Sequence, residues 1–132
     1  MPADLSRPKR LLVVDDEPVI LEVIAFFLQG GGYRLTLARN GHEALRLFNA
    51  GTFDAVLTDR SMPEMNGDDL AHEIKSRDPV MPILLISGHR WSAVDATRFD
   101  GFLPKPFTRK SLVAAIDAAV LRQKVSVANA AT

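Results

Sequence analysis

The sequence predicts an α/β fold, a doubly wound parallel sheet of five strands with helices on both faces. Five short apolar runs alternate with longer amphipathic segments along the 132 residues. Strands that alternate with helices typically form right-handed βαβ crossovers in a parallel sheet. Three of the runs are apolar without interruption, which is typical of strands covered on both faces. The length suits one domain with a substantial core.

The five predicted strands are short, and each is followed by a polar turn or by the start of a helix. The first, third and fourth are the uninterrupted runs, with the sequences LLVV, AVLT and ILLI. The second, YRLTLA, is longer, and the fifth, GFL, is the shortest. In chain order, the strands are predicted over residues 11–14, 33–38, 55–58, 83–86 and 101–103.

Four amphipathic segments predict helices, and local signals mark the ends of the first. Pro18 stands at the first helical position, where proline is favoured. The glycines at 30–32 stand where the cap at the carboxyl end of a helix is expected. The fourth crossover, between Ile86 and Gly101, has room for about two helical turns, so a short helix or a loop is predicted there. The four longer helices are predicted over residues 18–29, 41–49, 68–77 and 108–124.

Composition excludes several classes of protein. The chain has 16 basic and 16 acidic residues, so a nucleic-acid-binding surface is not expected. It has no cysteine, which excludes disulfides, thiolate metal sites and cysteine nucleophiles. No apolar run approaches the roughly 20 residues of a membrane span, and the polar start MPADLSRPKR is not a signal peptide. We expect a cytoplasmic domain at residues 9–124 that does not bind membranes, with flexible termini at 1–8 and 125–132.

Polar side chains follow four of the five predicted strands. The carboxyl ends of parallel strands meet at one edge of a sheet, where ligands bind. Three carboxylates at this edge would repel one another, and Lys105 together with a hard divalent ion such as Mg²⁺ would compensate them. A carboxylate beside a metal, a hydroxyl and a lysine suits phosphoryl transfer through an acyl-phosphate. The residues concerned are Asp15 and Asp16 after the first strand, Asp59 after the third, Ser87 after the fourth and Lys105 after the fifth.

Four motifs, LLVVDDEP, VLTDRSMPEMNG, ILLISG and FLPKPF, resemble the receiver domain of two-component response regulators over roughly residues 9–124. The resemblance implies a flavodoxin-like sheet with the strand order 2-1-3-4-5. It also implies a phosphoacceptor that receives a phosphoryl group from a sensor histidine kinase or a histidine phosphotransfer protein. The phosphorylated domain would then change conformation and regulate an unknown downstream protein, rather than turn over an external substrate.

The resemblance implies a role for each of the three carboxylates, Asp15, Asp16 and Asp59, which we call the acidic cluster. Asp59 matches the phosphoacceptor, and Asp16 matches the acid that binds Mg²⁺ directly. Asp15 matches the neighbouring acid that usually acts through water. Ser61 would lend its backbone carbonyl to the metal, so the implied metal site comprises Asp15, Asp16, Asp59 and Ser61.

The resemblance also assigns a switch. Ser87 matches the switch hydroxyl, Lys105 the lysine that pairs with the phosphate, and Phe102 the aromatic residue whose rotation accompanies activation. The bond between Lys105 and Pro106 is implied to be cis. Arg60, next to the acceptor, and His89, two positions after Ser87, are candidates for tuning access and hydrolysis. The short fourth crossover departs from the usual output surface, and we expect residues 89–98 to be mobile without phosphate.

Some of these residues also have a purely structural interpretation. Residues 15–17 are all acidic and precede a proline, which is typical of a helix start, and capping is compatible with a metal site. Phe102 could simply be a core residue. Residues 19–28 carry a single charge, so their apolar side chains cannot all pack against one sheet face. Deep burial would explain this helix, but the resemblance implies that it docks the histidine-bearing donor, with Ile20 and Phe27 as the residues to test.

Three other functions use parts of the same pattern. A flavodoxin-like FMN binder needs a loop rich in hydroxyls and amides after the first strand, whereas this loop is doubly acidic. A Mg²⁺-dependent aspartyl phosphatase carries two acids separated by one residue at that place, whereas Asp15 and Asp16 are adjacent. A receiver-like domain that is never phosphorylated would not be expected to keep the complete set of polar residues. Flavin absorbance or turnover of a phosphate ester would favour the first or second alternative.

Overall fold

The computed structural model describes the backbone of residues 7–131 and the side chains of residues 7–122. Within this range, five strands alternate with five helices. In chain order, the elements are β1 (Lys9–Val14), α1 (Pro18–Leu28), β2 (Tyr33–Ala38), α2 (Gly41–Ala50), β3 (Ala55–Asp59), α3 (Gly67–Arg77), β4 (Ile83–Ser87), α4 (Asp95–Arg98), β5 (Gly101–Pro104) and α5 (Arg109–Ala131).

The five strands form one parallel sheet in the order β2-β1-β3-β4-β5. This confirms the predicted fold class and strand order. Strands β3 and β4 are buried along their whole length, as expected for strands covered on both faces. The register places Asp59 opposite Ile86 and Ser87 opposite Pro104. The carboxyl ends of β3, β4 and β5 therefore lie side by side at one edge.

The core consists of two apolar clusters, one on each face of the sheet. Along β1, Leu11 and Val13 belong to one cluster, whereas Leu12 and Val14 belong to the other. This alternation follows from the period of two along a strand. The first cluster contains the buried side chains of α1 and α5, and the second contains those of α2 and α3. The helices thus cover both faces, which explains why the central strands are apolar throughout.

The last helix is the largest departure from the predicted boundaries. Helix α5 continues to Ala131, whereas the sequence predicted its end at residue 124. The extension contains neither glycine nor proline, and alanine, its most frequent residue, has the highest helix propensity. The segment expected to be a flexible tail is therefore helical as far as Ala131, while residues 1–6 lie outside the described range. Within that range, no helix combines the length and apolar character needed to cross a membrane.

The fourth crossover contains a helix of only four residues, which confirms the prediction of a short helix or loop. A reciprocal pair of hydrogen bonds orders the turn that leads into this helix. The backbone N–H of Asp95 donates to Ser92 Oγ at 3.2 Å, and the N–H of Ser92 donates to Asp95 Oδ2 at 2.9 Å. The pattern is that of a capping box around the turn at residues 92–95, whereas the N-cap residue of α4 itself, Val94, makes no side-chain capping bond. The mobility expected for residues 89–98 stays a prediction.

Candidate functional site

Three carboxylates meet at the carboxyl edge of the sheet. Asp15 and Asp16 follow β1, and Asp59 is the last residue of β3. One oxygen from each lies within 4.8 Å of the others. Asp15 and Asp59 are buried, whereas Asp16 is exposed, so the cluster opens to solvent on one side. Hard oxygen ligands that leave room for water are what Mg²⁺ prefers, and these residues fit that ion.

Lys105 lies between the two buried carboxylates. Its Nζ donates to Asp15 Oδ2 at 3.3 Å and to Asp59 Oδ1 at 3.2 Å. Its backbone N–H donates to the carbonyl of Ser87 at 2.9 Å, which fixes the start of the loop after β5. The next peptide bond, to Pro106, is cis, as predicted. The loop therefore holds the ammonium group within the acidic cluster.

These contacts shift two pKa values in the cluster. Burial raises the pKa of Asp15, and the nearby charge of Asp59 raises it further, despite the opposing contacts from Glu17 and Lys105. Burial also acts to lower the pKa of Lys105, but the charges of Asp15 and Asp59 outweigh it and raise that pKa above 10.5. Lys105 therefore remains charged at neutral pH. One lysine does not fully compensate the carboxylates, so a further cation would relieve repulsion there.

The loop after β1 also shows that the capping interpretation is partly correct. The backbone N–H of Glu17 donates to Asp15 Oδ1 at 2.9 Å, directly before α1. The side chain of Glu17 itself makes no capping hydrogen bond. Asp15 thus uses one oxygen to order the entry to α1 and the other to bind Lys105. The structural role and the position in the acidic cluster coexist in one side chain.

The start of α3 lies directly against the backbone of Asp59. The N–H of Gly67 donates to the carbonyl of Arg60 at 2.7 Å. A Cβ atom at position 67 would lie 2.3 Å from the carbonyl oxygen of Asp59 and 2.9 Å from the Cα of Arg60. Only glycine permits this close approach. A capping box between Asn66 and Asp69 fixes the first turn of α3, so α3 holds the end of β3 that carries Asp59.

The two serines of the predicted site differ in environment. Ser87 ends β4, is 2% exposed, and its Oγ accepts the backbone N–H of His89 at 3.0 Å. Because β4 neighbours β3, this hydroxyl belongs to the same edge as Asp59. Ser61 lies exposed in the loop two residues after Asp59, and the side chain of His89 is exposed as well. The hydroxyl of Ser87 is therefore the better ordered of the two.

Phe102 is half-buried and packs against Trp91, a residue that the sequence analysis did not single out. The two ring centroids are 5.4 Å apart, and the ring planes are inclined by 34°. Phe102 also packs against the apolar cluster on the side of α2 and α3, so it is partly a core residue. Trp91 lies in the loop between β4 and α4. The aromatic pair therefore joins β5 to the fourth crossover.

Arg60 lies among acidic residues of the neighbouring helices. Its guanidinium donates to the carboxylate of Asp95 at the start of α4. Its Nε is 3.9 Å from Asp68 Oδ2 in the first turn of α3. Asp95 is 3% exposed and was missed by sequence reasoning, because a charged side chain is usually exposed. The available signal was the Ser-x-x-Asp pattern at residues 92–95, which is typical of a capping box.

The family model of the response regulator receiver domain matches residues 11–117. The chain belongs to this family. Receiver domains are the phosphoacceptor domains of two-component systems and are signalling domains rather than turnover enzymes. The comparisons support neither the flavin-binding nor the phosphatase alternative.

The receiver domain has curated relatives that are longer than this chain. It is 37% identical to the transcriptional regulatory protein GlrR of Escherichia coli strain K12 over 118 residues, which cover 86% of this chain and 27% of GlrR. It is 35% identical to the response regulator MprA of Mycolicibacterium vanbaalenii over 120 residues, covering 87% of this chain and 52% of MprA. The chain thus spans about a quarter to a half of the length of these relatives.

Solved structures show the same fold. A CheY-like receiver domain protein from Methanospirillum hungatei has a TM-score of 0.80 at 25% identity, covering 90% of this chain and 98% of that chain. The response regulator TrrA of Thermotoga maritima, solved in complex with Mg²⁺ and BeF, has a TM-score of 0.78 at 34% identity. That comparison covers 84% of this chain and 98% of TrrA.

Proposed function

We propose that this receiver domain accepts a phosphoryl group on Asp59, with Mg²⁺ bound by Asp15, Asp16, Asp59 and the backbone carbonyl of Ser61. The observation that carries the proposal is the meeting of three carboxylates and one lysine at the carboxyl edge of the sheet. The Mg²⁺ complex of the similar TrrA structure supports the choice of metal.

In the proposed reaction, a carboxylate oxygen of Asp59 attacks the phosphorus atom of a donor phosphohistidine. The O–P bond forms as the N–P bond breaks, and the imidazole keeps the electron pair and takes up a proton from water. Bound Mg²⁺ would supply positive charge for the phosphoryl oxygens. Lys105 already has its Nζ 3.2 Å from Asp59 Oδ1, so its ammonium group can pair with the attached phosphoryl group.

The switch is proposed to run through Ser87 and Phe102. An attached phosphoryl group offers acceptor oxygens to the hydroxyl of Ser87, which ends the strand next to that of Asp59. Phe102 lies one strand farther along the sheet and packs against Trp91 of the fourth crossover. The added charge would shift the population between two conformations. Slow hydrolysis of the acyl-phosphate would end the signal, with Arg60 and His89 influencing its rate.

The donor is proposed to be a sensor histidine kinase or a histidine phosphotransfer protein that docks on α1, in the cytoplasm. One side of α1 is buried in the core, whereas Val19 and Phe26 are 64% and 69% exposed. The two residues suggested by the sequence, Ile20 and Phe27, are half-buried and pack against that core. Val19 and Phe26 are therefore the better probes. The output is proposed to be contact with a downstream protein, without direct binding of nucleic acid or membrane.

Charging the exposed side of α1 tests the docking. We expect Phe26→Asp to slow phosphoryl transfer from a phosphorylated histidine phosphotransfer protein and to leave phosphorylation by acetyl phosphate unchanged. The small donor makes no contact with α1, so it reports on the chemistry of Asp59 alone. Val80→Asp is the matched control, because Val80 is 51% exposed but precedes β4 at the opposite edge of the sheet. Equal slowing with both donors would contradict docking through α1.

A further inference from the structure

Arg60, the residue directly after Asp59, is bound to the start of α4. Its guanidinium donates to Asp95 Oδ1, and the two groups form an ion pair. The side chain of Asp95 is 4% exposed and that of Arg60 is 24% exposed. Burying a carboxylate without a partner costs free energy, so the buried position of Asp95 depends on its ion pair with Arg60.

Asp95 also organises the short helix that it begins. Its Oδ2 accepts the N–H of Ser92, its own N–H donates to Ser92 Oγ, and its carbonyl accepts the N–H of Phe99 at 2.9 Å. Phe99 is 2% exposed and belongs to the apolar cluster on that side of the sheet. The contact with Arg60 therefore positions a turn that runs from Ser92 to the core.

A second carboxylate and a second guanidinium extend the pair. Asp68, in the first turn of α3, has Oδ2 at 3.9 Å from Arg60 Nε and Oδ1 at 3.4 Å from Arg98 NH1. Arg98 is the last residue of α4. Charges of opposite sign thus alternate through four side chains, which we call the Arg60 cluster: Asp95, Arg60, Asp68 and Arg98. The cluster joins the end of β3, the start of α3 and both ends of α4.

The two sides of this connection differ in rigidity. The backbone of Arg60 is held by the hydrogen bond from Gly67, which lies so close that a Cβ atom added to it would be 2.9 Å from the Cα of Arg60. Helix α4 has only four residues, and a helix this short gains little stability from its own hydrogen bonds. Its position must therefore depend on its contacts with the rest of the domain. A shift of the Asp59–Arg60 peptide would be passed to α4 through the guanidinium.

We propose that the Arg60 cluster is a second connection, beside the path through Ser87 and Phe102, by which phosphorylation of Asp59 repositions α4, with the pair between Arg60 and Asp95 as its essential contact. This inference rests on the proposed function, because it takes Asp59 to be the phosphoacceptor. It assigns a role in signal transmission to two residues outside the acidic cluster. Trp91, the only tryptophan of the chain, lies in the same crossover and supplies a fluorescent reporter.

Neutralising the pair tests the connection. Asp95→Asn keeps an oxygen that can accept the N–H of Ser92 but removes the charge, and Arg60→Gln removes the charge of its partner. Each variant and the double variant are compared with the unaltered protein, with and without Mg²⁺ and beryllofluoride as a phosphoryl analogue. The measurements are hydrogen exchange at the amides of Ala96 and Phe99, which donate to Ser92 and Asp95, and the fluorescence of Trp91.

We expect the unaltered protein to change in both measurements on loading with beryllofluoride. In each single variant, amide exchange without the analogue should rise about tenfold, as expected from loss of a hydrogen bond between charged groups. The change produced by loading should fall below half of that in the unaltered protein. The double variant should behave like the single variants, because both substitutions remove the same contact.

Two further variants distinguish the loss of the ion pair between Arg60 and Asp95 from a general loss of stability. Arg77→Gln removes an exposed ion pair with Glu73 on α3 and should leave both measurements unchanged. Arg60→Lys keeps the positive charge and should retain most of the loading response. A full loading response in both Arg60→Gln and Asp95→Asn would overturn the inference. The proposed function would be overturned instead if loading changed neither measurement in the unaltered protein and if Asp59→Asn bound the analogue as well as the unaltered protein does.

Discussion

Two buried aspartates of this domain have pKa shifts of opposite sign. Burial raises the pKa of Asp15, and the charge of Asp59 adds to the effect. Burial acts in the same direction on Asp95, but hydrogen bonds from Arg60 and Ser92 outweigh it and lower that pKa. The charge of a neighbouring acid, Asp59, acts on Asp15, whereas the two groups that contact Asp95, Arg60 and Ser92, both lower its pKa. Asp15 would therefore gain from an additional cation, while Asp95 is already compensated.

The exposed acid of the cluster is expected to govern metal affinity. Asp16→Asn should weaken Mg²⁺ binding at least about tenfold, because it removes a charged ligand from a site that has few protein ligands. Titration calorimetry with Mg²⁺ measures the affinity directly. Glu17→Gln is the matched control, since Glu17 is the exposed acid next in the chain and lies outside the three-carboxylate cluster. Equal affinities of the unaltered protein and Asp16→Asn would contradict the assignment.

The lowered pKa of Asp95 predicts a dependence of stability on pH. Asp95→Asn should lower the free energy of unfolding at neutral pH by about 2 kcal/mol, a typical value for a hydrogen bond to a charged group. Below the ordinary pKa of 3.8, the carboxyl group gains a proton in the unfolded chain before it does so in the folded domain. The stability that ionised Asp95 contributes is therefore present above that pH and lost as the pH falls through its lower, folded-state pKa.

Urea unfolding of the unaltered protein and Asp95→Asn across this range measures the effect. The difference in the free energy of unfolding between the two proteins should narrow as the pH falls below 3.8. The groups that face the carboxylate are the guanidinium of Arg60 and the backbone N–H of Ser92. A difference that is independent of pH would contradict the ion pair.

At the scale of elements, α3 and the end of β3 meet at Gly67, where an added Cβ atom would come closer to its neighbours than at any other glycine of the described range. Gly67→Ala would force a methyl group against the backbone of Asp59, and we expect a loss of about 1–3 kcal/mol in the free energy of unfolding. Phosphorylation of Asp59 should slow as well, because the backbone that carries its carboxylate must move. Gly88→Ala is the control for stability, since a Cβ atom there would meet no atom within 4 Å.

Chemical denaturation of the two alanine variants gives the free energies, and acetyl phosphate labelling gives the rates. A Gly67→Ala protein as stable as Gly88→Ala, with an unchanged rate, would show that α3 does not fix the position of Asp59.

Much of the fold and part of the site could be predicted from the sequence, because both depend on local patterns. Apolar runs located the strands, and parallel strands place the residues that follow them at one edge, which brought Asp15, Asp59 and Lys105 together. The predicted end of α5 was wrong because no glycine, proline or other local signal ends the helix at residue 124. Asp95 was missed because its partner, Arg60, is separated from it by 35 positions and is brought near only by tertiary packing.

At the scale of the whole molecule, the sheet brings distant parts of the chain to one site. Lys105 binds acids that lie 90 and 46 positions earlier in the sequence. Two charged groups of residues therefore flank the end of β3. The acidic cluster, with Lys105, surrounds the carboxylate of Asp59, and the Arg60 cluster connects the following residue to α3 and α4. The first is suited to the chemistry of phosphorylation and the second to the transmission of its effect.

The central claim is that Asp59 becomes phosphorylated, and intact-mass spectrometry after incubation with acetyl phosphate and Mg²⁺ tests it most directly. We expect the unaltered protein to gain the mass of one phosphoryl group, stable in acid and labile in base, and peptide mapping to locate it on Asp59. Asp59→Asn should gain none, and omission of Mg²⁺ should suppress the reaction. Absence of the phosphoryl group from the unaltered protein, or its persistence in Asp59→Asn, would contradict the claim.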